Sequence, residues 1–272
     1  MNAIGIDYNV KLQRIARAVK RDIDAAIIPE IEASVKEYTY DSSIVTIDGW
    51  VDRITRLFAG LFARWDNPIV KRKADEIAGD FVKTALKKSE RDIRKSVAID
   101  VFTHNEKMRE YLKASAVQNA DLITSIPKDY LTDVSTAVIA NMRSGMRPSA
   151  IVLDLQERFG VTKRRAEFIA RDQTGKIQGD LAEKQQRDAG FEYFQWIDSH
   201  DARVRHRHYE IANKLTAYGR GIYRWDDLPL SEDGEPIKPG QDYNCRCTSK
   251  PVSARQVAEN QRKGLVAEGV YR

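Results

Sequence analysis

The chain has 272 residues, of which 42% are hydrophobic and 31% are charged, so it can bury a core and does not belong to the disordered class. This length suits two ordinary domains. No apolar run of about 18 residues occurs and no signal peptide is recognisable, which predicts a protein made and kept in a cytoplasm with no membrane partner. The formal net charge of +5 permits contact with nucleic acid but does not by itself indicate it.

Apolar residues spaced by three and four predict that the first half of the chain is helical. The pattern predicts helices over residues 12–26, 50–65, 70–85, 108–116 and 131–142. Because proline lacks a backbone N–H, we expect the first helix to bend or restart at Pro29. A loop is predicted over residues 41–48, Asn67-Pro68 should end one helix and open the next, and Gly145 should stop the last one.

Two shorter helical patterns follow, over residues 151–159 and 166–181. Gly160 lies between them, and Thr162 is a typical helix cap, so they predict a helical hairpin over residues 146–190. The aromatic run 191–197 predicts a buried strand, and a final helix is expected over residues 254–263. The predicted fold class is therefore α+β, with a large all-helical region (1–145), the hairpin (146–190) and a small α+β domain (191–272).

Histidine and arginine alternate in one short segment of the predicted α+β domain. The residues are His200, Arg203, Arg205, His206, Arg207 and His208. Arg203, Arg205 and Arg207 are candidates for binding the phosphates of double-stranded DNA. The alternative is a basic loop folded on itself, in which arginine binds its own backbone carbonyls and carboxylates.

Cys245 and Cys247 are the two cysteines of the chain, and they lie too close in sequence to form a useful disulfide. With His208 they are candidate zinc ligands, with His200 or Asp201 as a fourth. Against this, thiols two residues apart on a strand lie about 6–7 Å from each other, too far for one metal ion unless the backbone turns. The usual Cys-x-x-Cys knuckle is also absent. We therefore expect no cofactor and two buried thiols packed as small apolar side chains, with a structural zinc ion as the alternative.

Two motifs together resemble the phage Mu protein F-like family of head morphogenesis proteins. The first is Asp201-x-Arg203-Val204-Arg205-x-x-His208, and the second is Asn244-Cys245-Arg246-Cys247, preceded by Pro239-Gly240. The upstream segment Ile169-Ala170-Arg171-Asp172-Gln173 keeps the Ala-Arg centre of the family's Ile-Ala-Arg-Thr-Glu signature and departs from it afterwards. The resemblance covers roughly residues 149–250.

This resemblance implies a minor capsid protein of a tailed bacteriophage that is associated with the portal vertex. It implies a role in head assembly, DNA packaging or DNA delivery, and a location in the virion, with the host cytoplasm as the site of assembly. The implied partners are the portal protein and capsid or scaffold components, with double-stranded DNA and a second copy of the chain as further candidates. In this interpretation the helical half docks on the portal, the α+β half faces DNA, and the motif residues have structural roles.

Two other functions remain open from the residues alone. A small nuclease or toxin-like enzyme would use His206 or His208 as general base and Arg203 or Arg205 to stabilise a phosphoryl transition state. No recognised catalytic motif accompanies these residues, so we expect a protein that is not an enzyme. A plain DNA-binding module would need only the basic segment and would bind with steep salt dependence.

Overall fold

Five long helices precede a small region of short strands. The computed structural model describes residues 2–40, 47–97 and 106–267. The helices are α1 (Ala3–Tyr40), α2 (Ile47–Trp65), α3 (Pro68–Val97), α4 (Glu106–Arg143) and α5 (Pro148–Asp188). They are followed by β1 (Tyr193–Ile197), α6 (His206–Asn213), β2 (Leu215–Thr216), β3 (Gly219–Arg220), β4 (Ile222–Arg224), β5 (Thr248–Val252) and α7 (Ala254–Arg262). This order confirms the predicted α+β class.

The chain forms two compact units, each assembled from two separate stretches of sequence. Unit 1 comprises Met1–Asp80 and Ala116–Ala170, and unit 2 comprises Phe81–Ser115 and Arg171–Arg272. This division differs from the three consecutive segments that the sequence predicted. Among the described residues, no helix is both long enough and apolar enough to cross a bilayer.

Unit 1 is built around an apolar cluster from α1, α2, α4 and α5. Its largest members are fully or nearly fully buried: Ile23, Ile27, Ile31, Trp50, Ile54, Phe58, Tyr130, Leu131, Val134 and Leu155. These residues recur at helical spacing along each element, so one face of each helix supplies the core. The start of α3 also follows the sequence, since Asn67 Oδ1 accepts the N–H groups of Ile69 and Val70 at 2.8 and 3.1 Å, as an N-cap residue does.

Unit 2 contains a three-stranded antiparallel sheet with strand order β4-β1-β5. The central position of β1 confirms the buried strand predicted over residues 191–197. Phe194 and Trp196 alternate with less buried neighbours and point into an apolar cluster that also includes Tyr223, Trp225 and both cysteines. Strand pairing therefore places the aromatic side chains of β1 beside the Cys-x-Cys segment.

Of the two outcomes predicted at Pro29, a bend or a restart of the first helix, the restart does not occur. Helix α1 is continuous from Ala3 to Tyr40 with Pro29 inside it. Ile23, Ile27 and Ile31 are all completely buried on either side of the proline, and this burial offsets the cost of about 3 kcal/mol that proline brings to a helix interior. The predicted loop over residues 41–48 lies mostly outside the described residues, and Ile47 already belongs to α2.

The helical hairpin predicted over residues 146–190 is wrong, because α5 runs as one helix from Pro148 to Asp188. Gly160 lies inside this helix, where glycine costs only about 1 kcal/mol. Thr162 is not a cap: its hydroxyl donates to the carbonyl of Arg158 at 3.2 Å, a bond that threonine makes within helices. Likewise, the helices predicted over 108–116 and 131–142 form the single helix α4, which Gly145 ends with a φ of 72°.

Candidate functional site

His208 lies on α6 with its imidazole buried, although the two other histidines of the segment are exposed. Its ring meets the Trp196 indole edge-on, with 5.5 Å between centroids. One ring nitrogen, Nε2, lies 3.4 Å from Asp242 Oδ2. A carboxylate in this position favours the tautomer that carries the proton on Nε2 and leaves Nδ1 with a free lone pair.

Both cysteine thiols converge on the other ring nitrogen of His208. The sulfur atoms of Cys245 and Cys247 each lie 3.6 Å from His208 Nδ1, and the three ligand atoms lie within 4.8 Å of one another. The thiols are therefore closer than they would be on a strand, because the backbone turns here, which is the exception that the sequence left open. The segment is a turn and not a strand: Asn244 has a φ of 52°, and the Cys245 N–H donates to the Asp242 carbonyl at 3.0 Å.

A hydrogen bond between the two thiols shifts their pKa values in opposite directions. The hydrogen bond from the Cys247 thiol lowers the pKa of Cys245, and the backbone N–H groups of Gly240 and Cys247 act in the same direction against the effect of burial. The Cys245 sulfur and burial both raise the pKa of Cys247. The surroundings thus favour ionisation of the Cys245 thiol and oppose ionisation of the Cys247 thiol.

The loop that carries the cysteines packs directly on the backbone of α5. A Cβ atom added to Gly179 would lie 2.2 Å from the Pro239 carbonyl oxygen, and one added to Gly175 would lie 2.6 Å from that of Cys245. Gly240 has a φ of 87°, and a Cβ atom added to it would lie equally close to the carbonyl oxygen of Gly175. Glycine is therefore required at these positions, since any side chain would separate loop and helix.

Asp172 provides a second anchor between α5 and the same loop. Its carboxylate is buried, accepts the Asn244 N–H at 3.1 Å and lies 2.8 Å from Lys176 Nζ. Residue 172 is where the sequence departs from the family's upstream signature. At this position the chain therefore has a carboxylate, Asp172, which binds the second motif to α5.

An ion pair joins the two motifs to each other. Arg246 binds both carboxylate oxygens of Asp201, with Nη2 2.7 Å from Oδ1. The hydrogen bond from Arg246 lowers the pKa of Asp201 to about 2, with help from the backbone N–H of Arg203. Two-point pairing of this kind fixes orientation as well as charge. The ends of the two motifs are thus held together across 45 residues of sequence.

The three arginines proposed to bind DNA have different environments. Arg205 donates to the Tyr243 carbonyl at 2.7 Å and lies 3.4 Å from Asp242. Arg207 donates to the Leu230 carbonyl at 2.9 Å. Arg203 is 78% exposed and its guanidinium lies 4.0 Å from Asp201. The alternative of a basic loop folded on itself describes Arg205 and Arg207, and Arg203 is the most exposed of the three.

The fourth zinc ligands suggested by the sequence do not join the cluster. His200 is exposed, and its Nδ1 lies 2.8 Å from Asp198, whereas Asp201 is paired with Arg246. His206, which was a candidate general base, is 85% exposed and lies 3.4 Å from Glu210. The structure therefore brings together His208, Cys245 and Cys247 from the predicted set and leaves His200 and His206 at the surface.

Four residues of the site were missed by sequence reasoning: Asp172, Gly175, Gly179 and Asp242. The two glycines are spaced by four on a helix, a signal that indicates close backbone approach on one helix face. Asp242 lies three residues before Cys245, outside both motifs. Asp172 gave no signal except its departure from the family pattern.

Comparison with known proteins supports the resemblance drawn from the motifs. Residues 132–250 match the family model described as phage Mu protein F like protein, and both motifs lie inside that range. An uncharacterized protein of Haemophilus influenzae is 28% identical over 197 residues, which are 69% of this chain and 42% of that protein. The chain thus spans less than half the length of that relative. No solved structure matches the chain.

Proposed function

We propose, from the membership of residues 132–250 in the phage Mu protein F-like family, that this chain is a minor head protein that binds the portal vertex of a tailed bacteriophage. The family suggests head morphogenesis and association with the virion. The family match over both motifs is the observation that carries the proposal. The portal as partner, and a part in packaging or delivering DNA, are the finer steps that an experiment must test.

The state of the motif side chains favours a structural role over catalysis. Asp201 and Arg246 bind each other, Arg205 binds the loop that follows Gly240, and His208 is buried against the two thiols. A general base must reach the proton that it removes. The His208 side chain is only 5% exposed, and its ring nitrogens lie near Asp242 and the two thiols. The motifs therefore support a rigid module, in keeping with a family that is structural in general.

We place the portal-docking surface on a groove of unit 1. Its floor is apolar and includes Ile15, Val70 and Ile77, and its rim carries the exposed Arg14, Arg17 and Arg21 of α1. These arginines are spaced by three and four, so they lie along one face of the helix. Charge complementarity selects a portal segment that combines apolar with acidic side chains.

Retention of the purified chain on the assembled portal of its own phage tests this proposal. We expect the wild type to bind at about 50 mM salt and to remain bound at about 200 mM, since apolar contacts resist screening. The variant Arg14→Glu/Arg17→Glu/Arg21→Glu should lose at least about tenfold in affinity, because reversed rim charges repel an acidic partner. The matched control is Lys87→Glu/Arg91→Glu/Lys95→Glu on α3, which changes the net charge equally on exposed residues with similar spacing.

The possible results separate the proposal from its alternatives. Equal losses in the two triple variants would show that the groove is not the docking surface. Absence of portal binding by the wild type at both salt concentrations would contradict the portal part of the proposal. A parallel assay with double-stranded DNA tests the nucleic-acid alternatives. A DNA-binding module would bind only at low salt, and Arg203→Ala would weaken that binding. Cleavage of the DNA would indicate a nuclease.

A further inference from the structure

Three side chains from two separate segments of the sequence present nitrogen and sulfur ligand atoms to one point inside unit 2. From this arrangement we propose that His208, Cys245 and Cys247 bind a single zinc ion, through Nδ1 of the imidazole and the two sulfur atoms. This inference does not depend on the portal-docking proposal. Its role would be structural, because the ion would tie α6 to the loop that follows Gly240.

The two nitrogen–sulfur distances fit tetrahedral coordination. With Zn–S bonds of about 2.3 Å and Zn–N bonds of about 2.0–2.1 Å, tetrahedral angles place nitrogen and sulfur about 3.5–3.6 Å apart. Both sulfur atoms lie 3.6 Å from His208 Nδ1. The three ligand atoms could therefore bind one ion with little movement, and water would complete the fourth position.

Hydrogen bonding alone accounts poorly for this geometry. A neutral imidazole nitrogen has one proton or one lone pair in the ring plane, so Nδ1 serves one sulfur well and the second poorly. Two sulfur atoms at equal distance are what a shared ion requires. Asp242, 3.4 Å from Nε2, occupies the position of the carboxylate that typically orients a metal-binding histidine.

Charge and burial point to the same conclusion. Two thiolates and a neutral imidazole balance the charge of a divalent ion, so the filled site would bury no net charge. Cysteine and histidine ligands select zinc over the hard ions magnesium and calcium, which prefer oxygen. All three side chains are buried, so the protein would shield the ion from bulk solvent on the side of its three ligands.

Metal content and cobalt spectroscopy of the full-length chain test the proposal. The protein is reduced with a phosphine that does not bind zinc, treated with a chelator and titrated with zinc or cobalt. We expect one ion per chain and, for cobalt, an absorption band from thiolate-to-metal charge transfer. The variants His208→Gln and Cys247→Ser should bind less than about a tenth as tightly. Loss of a group that merely supports a ligand already costs about 10–100-fold in affinity, and these variants remove a ligand.

His206→Gln is the matched control, since His206 is on the same helix, two residues away, and exposed. It should bind zinc like the wild type. If His208→Gln fails to fold, thiol labelling of the wild type decides instead: the chain has two cysteines, and bound zinc should slow the modification of both by at least about tenfold. The proposal is overturned if the folded, reduced wild type binds no ion, if zinc leaves thiol labelling unchanged, or if His208→Gln and His206→Gln bind equally.

Discussion

The contacts within the apolar core of unit 1 differ in kind from the contacts within the motif site of unit 2. The core consists of large aliphatic and aromatic side chains that repeat along four helices. The site consists of backbone packed on glycines, one two-point ion pair and a histidine with two thiols. Burial of apolar area is non-directional, whereas each contact at the site depends on one particular atom.

This difference determines how each region responds to substitution. A core built from many similar side chains loses free energy roughly in proportion to the volume removed. At the site, adding one methyl group or removing one charge changes the geometry of the whole loop. The core should therefore be most sensitive to removal of side-chain volume, and the site to addition of a methyl group or removal of a charge. Three pairs of variants test this.

The largest effect is expected from Leu131→Ala in the core of unit 1. Leu131 is completely buried in the apolar cluster, so the substitution removes contacts and leaves a cavity, at a cost of about 2–5 kcal/mol. Denaturant unfolding followed by helical circular dichroism measures the change. Leu153→Ala is the control, because Leu153 is also helical but 60% exposed, and its effect should stay within about 0.5 kcal/mol. Similar losses in both variants would show that the cluster does not carry the stability of this unit.

An intermediate effect is expected at Gly179, where adding a side chain destabilises the protein, whereas at Leu131 removing side-chain atoms does. In Gly179→Ala the new Cβ would lie 2.2 Å from the Pro239 carbonyl, and because backbone must move, we expect a loss of about 1–3 kcal/mol. In the control Gly60→Ala nothing lies within 4 Å of the new atom, and the change should stabilise the protein by up to about 1 kcal/mol.

Thiol labelling gives the Gly179 prediction a local measurement. Displacement of the loop should expose Cys245 and Cys247 and speed their modification, whereas Gly60→Ala should leave the rate unchanged. If Gly179→Ala is as stable as the wild type and its thiols stay protected, the close approach of loop and helix is not required. The comparison of the two regions would then lose its clearest example.

Much of the fold could be predicted from the sequence because apolar periodicity reports directly on burial. The helical stripes, the aromatic strand β1 and helix α7 are all present where the pattern indicated them. The errors came from local signals that the rest of the helix overrode: Pro29 and Gly160 both stay inside helices. Around Pro29, Ile27 and Ile31 pack into the same core. A penalty of about 1–3 kcal/mol per residue is small beside that burial.

Less of the site could be predicted, because its geometry depends on contacts distant in sequence. Residue types identified His208, Cys245 and Cys247, but the assumption of a strand placed the two thiols too far apart. The turn that brings them together depends on Asn244 in a left-handed conformation and on Asp172, 72 residues earlier. No periodic pattern links such positions, so sequence alone could not choose between packed thiols and a metal site.

The smallest effect is expected from the ion pair between Asp201 and Arg246. The hydrogen bond from Arg246 lowers the pKa of Asp201 from 3.8 to about 2. A carboxyl group with a lowered pKa in the folded state stabilises the protein above about pH 4, and this contribution disappears as the pH falls from about 4 to about 2. Because 36% of the Asp201 side chain is exposed, solvent screens the pair and keeps its contribution small.

The variant Asp201→Asn isolates this charge, since asparagine can still accept the Arg203 N–H that Asp201 binds at 2.9 Å. We expect Asp201→Asn to be less stable than the wild type at pH 7, with a difference that shrinks toward zero as the pH approaches about 2 and as salt is added. Urea unfolding followed by tryptophan fluorescence measures it, because Trp196 and Trp225 lie in the core of this unit. Other carboxyl groups titrate equally in both proteins and cancel in the difference.

Arg203→Ala is the control: it removes a guanidinium 4.0 Å from Asp201, and its stability should vary with pH as that of the wild type does. A difference that persists unchanged to pH 2 would mean that Asp201 acts through its shape and not through its charge, and the two motifs would then be joined by packing, as the core of unit 1 is.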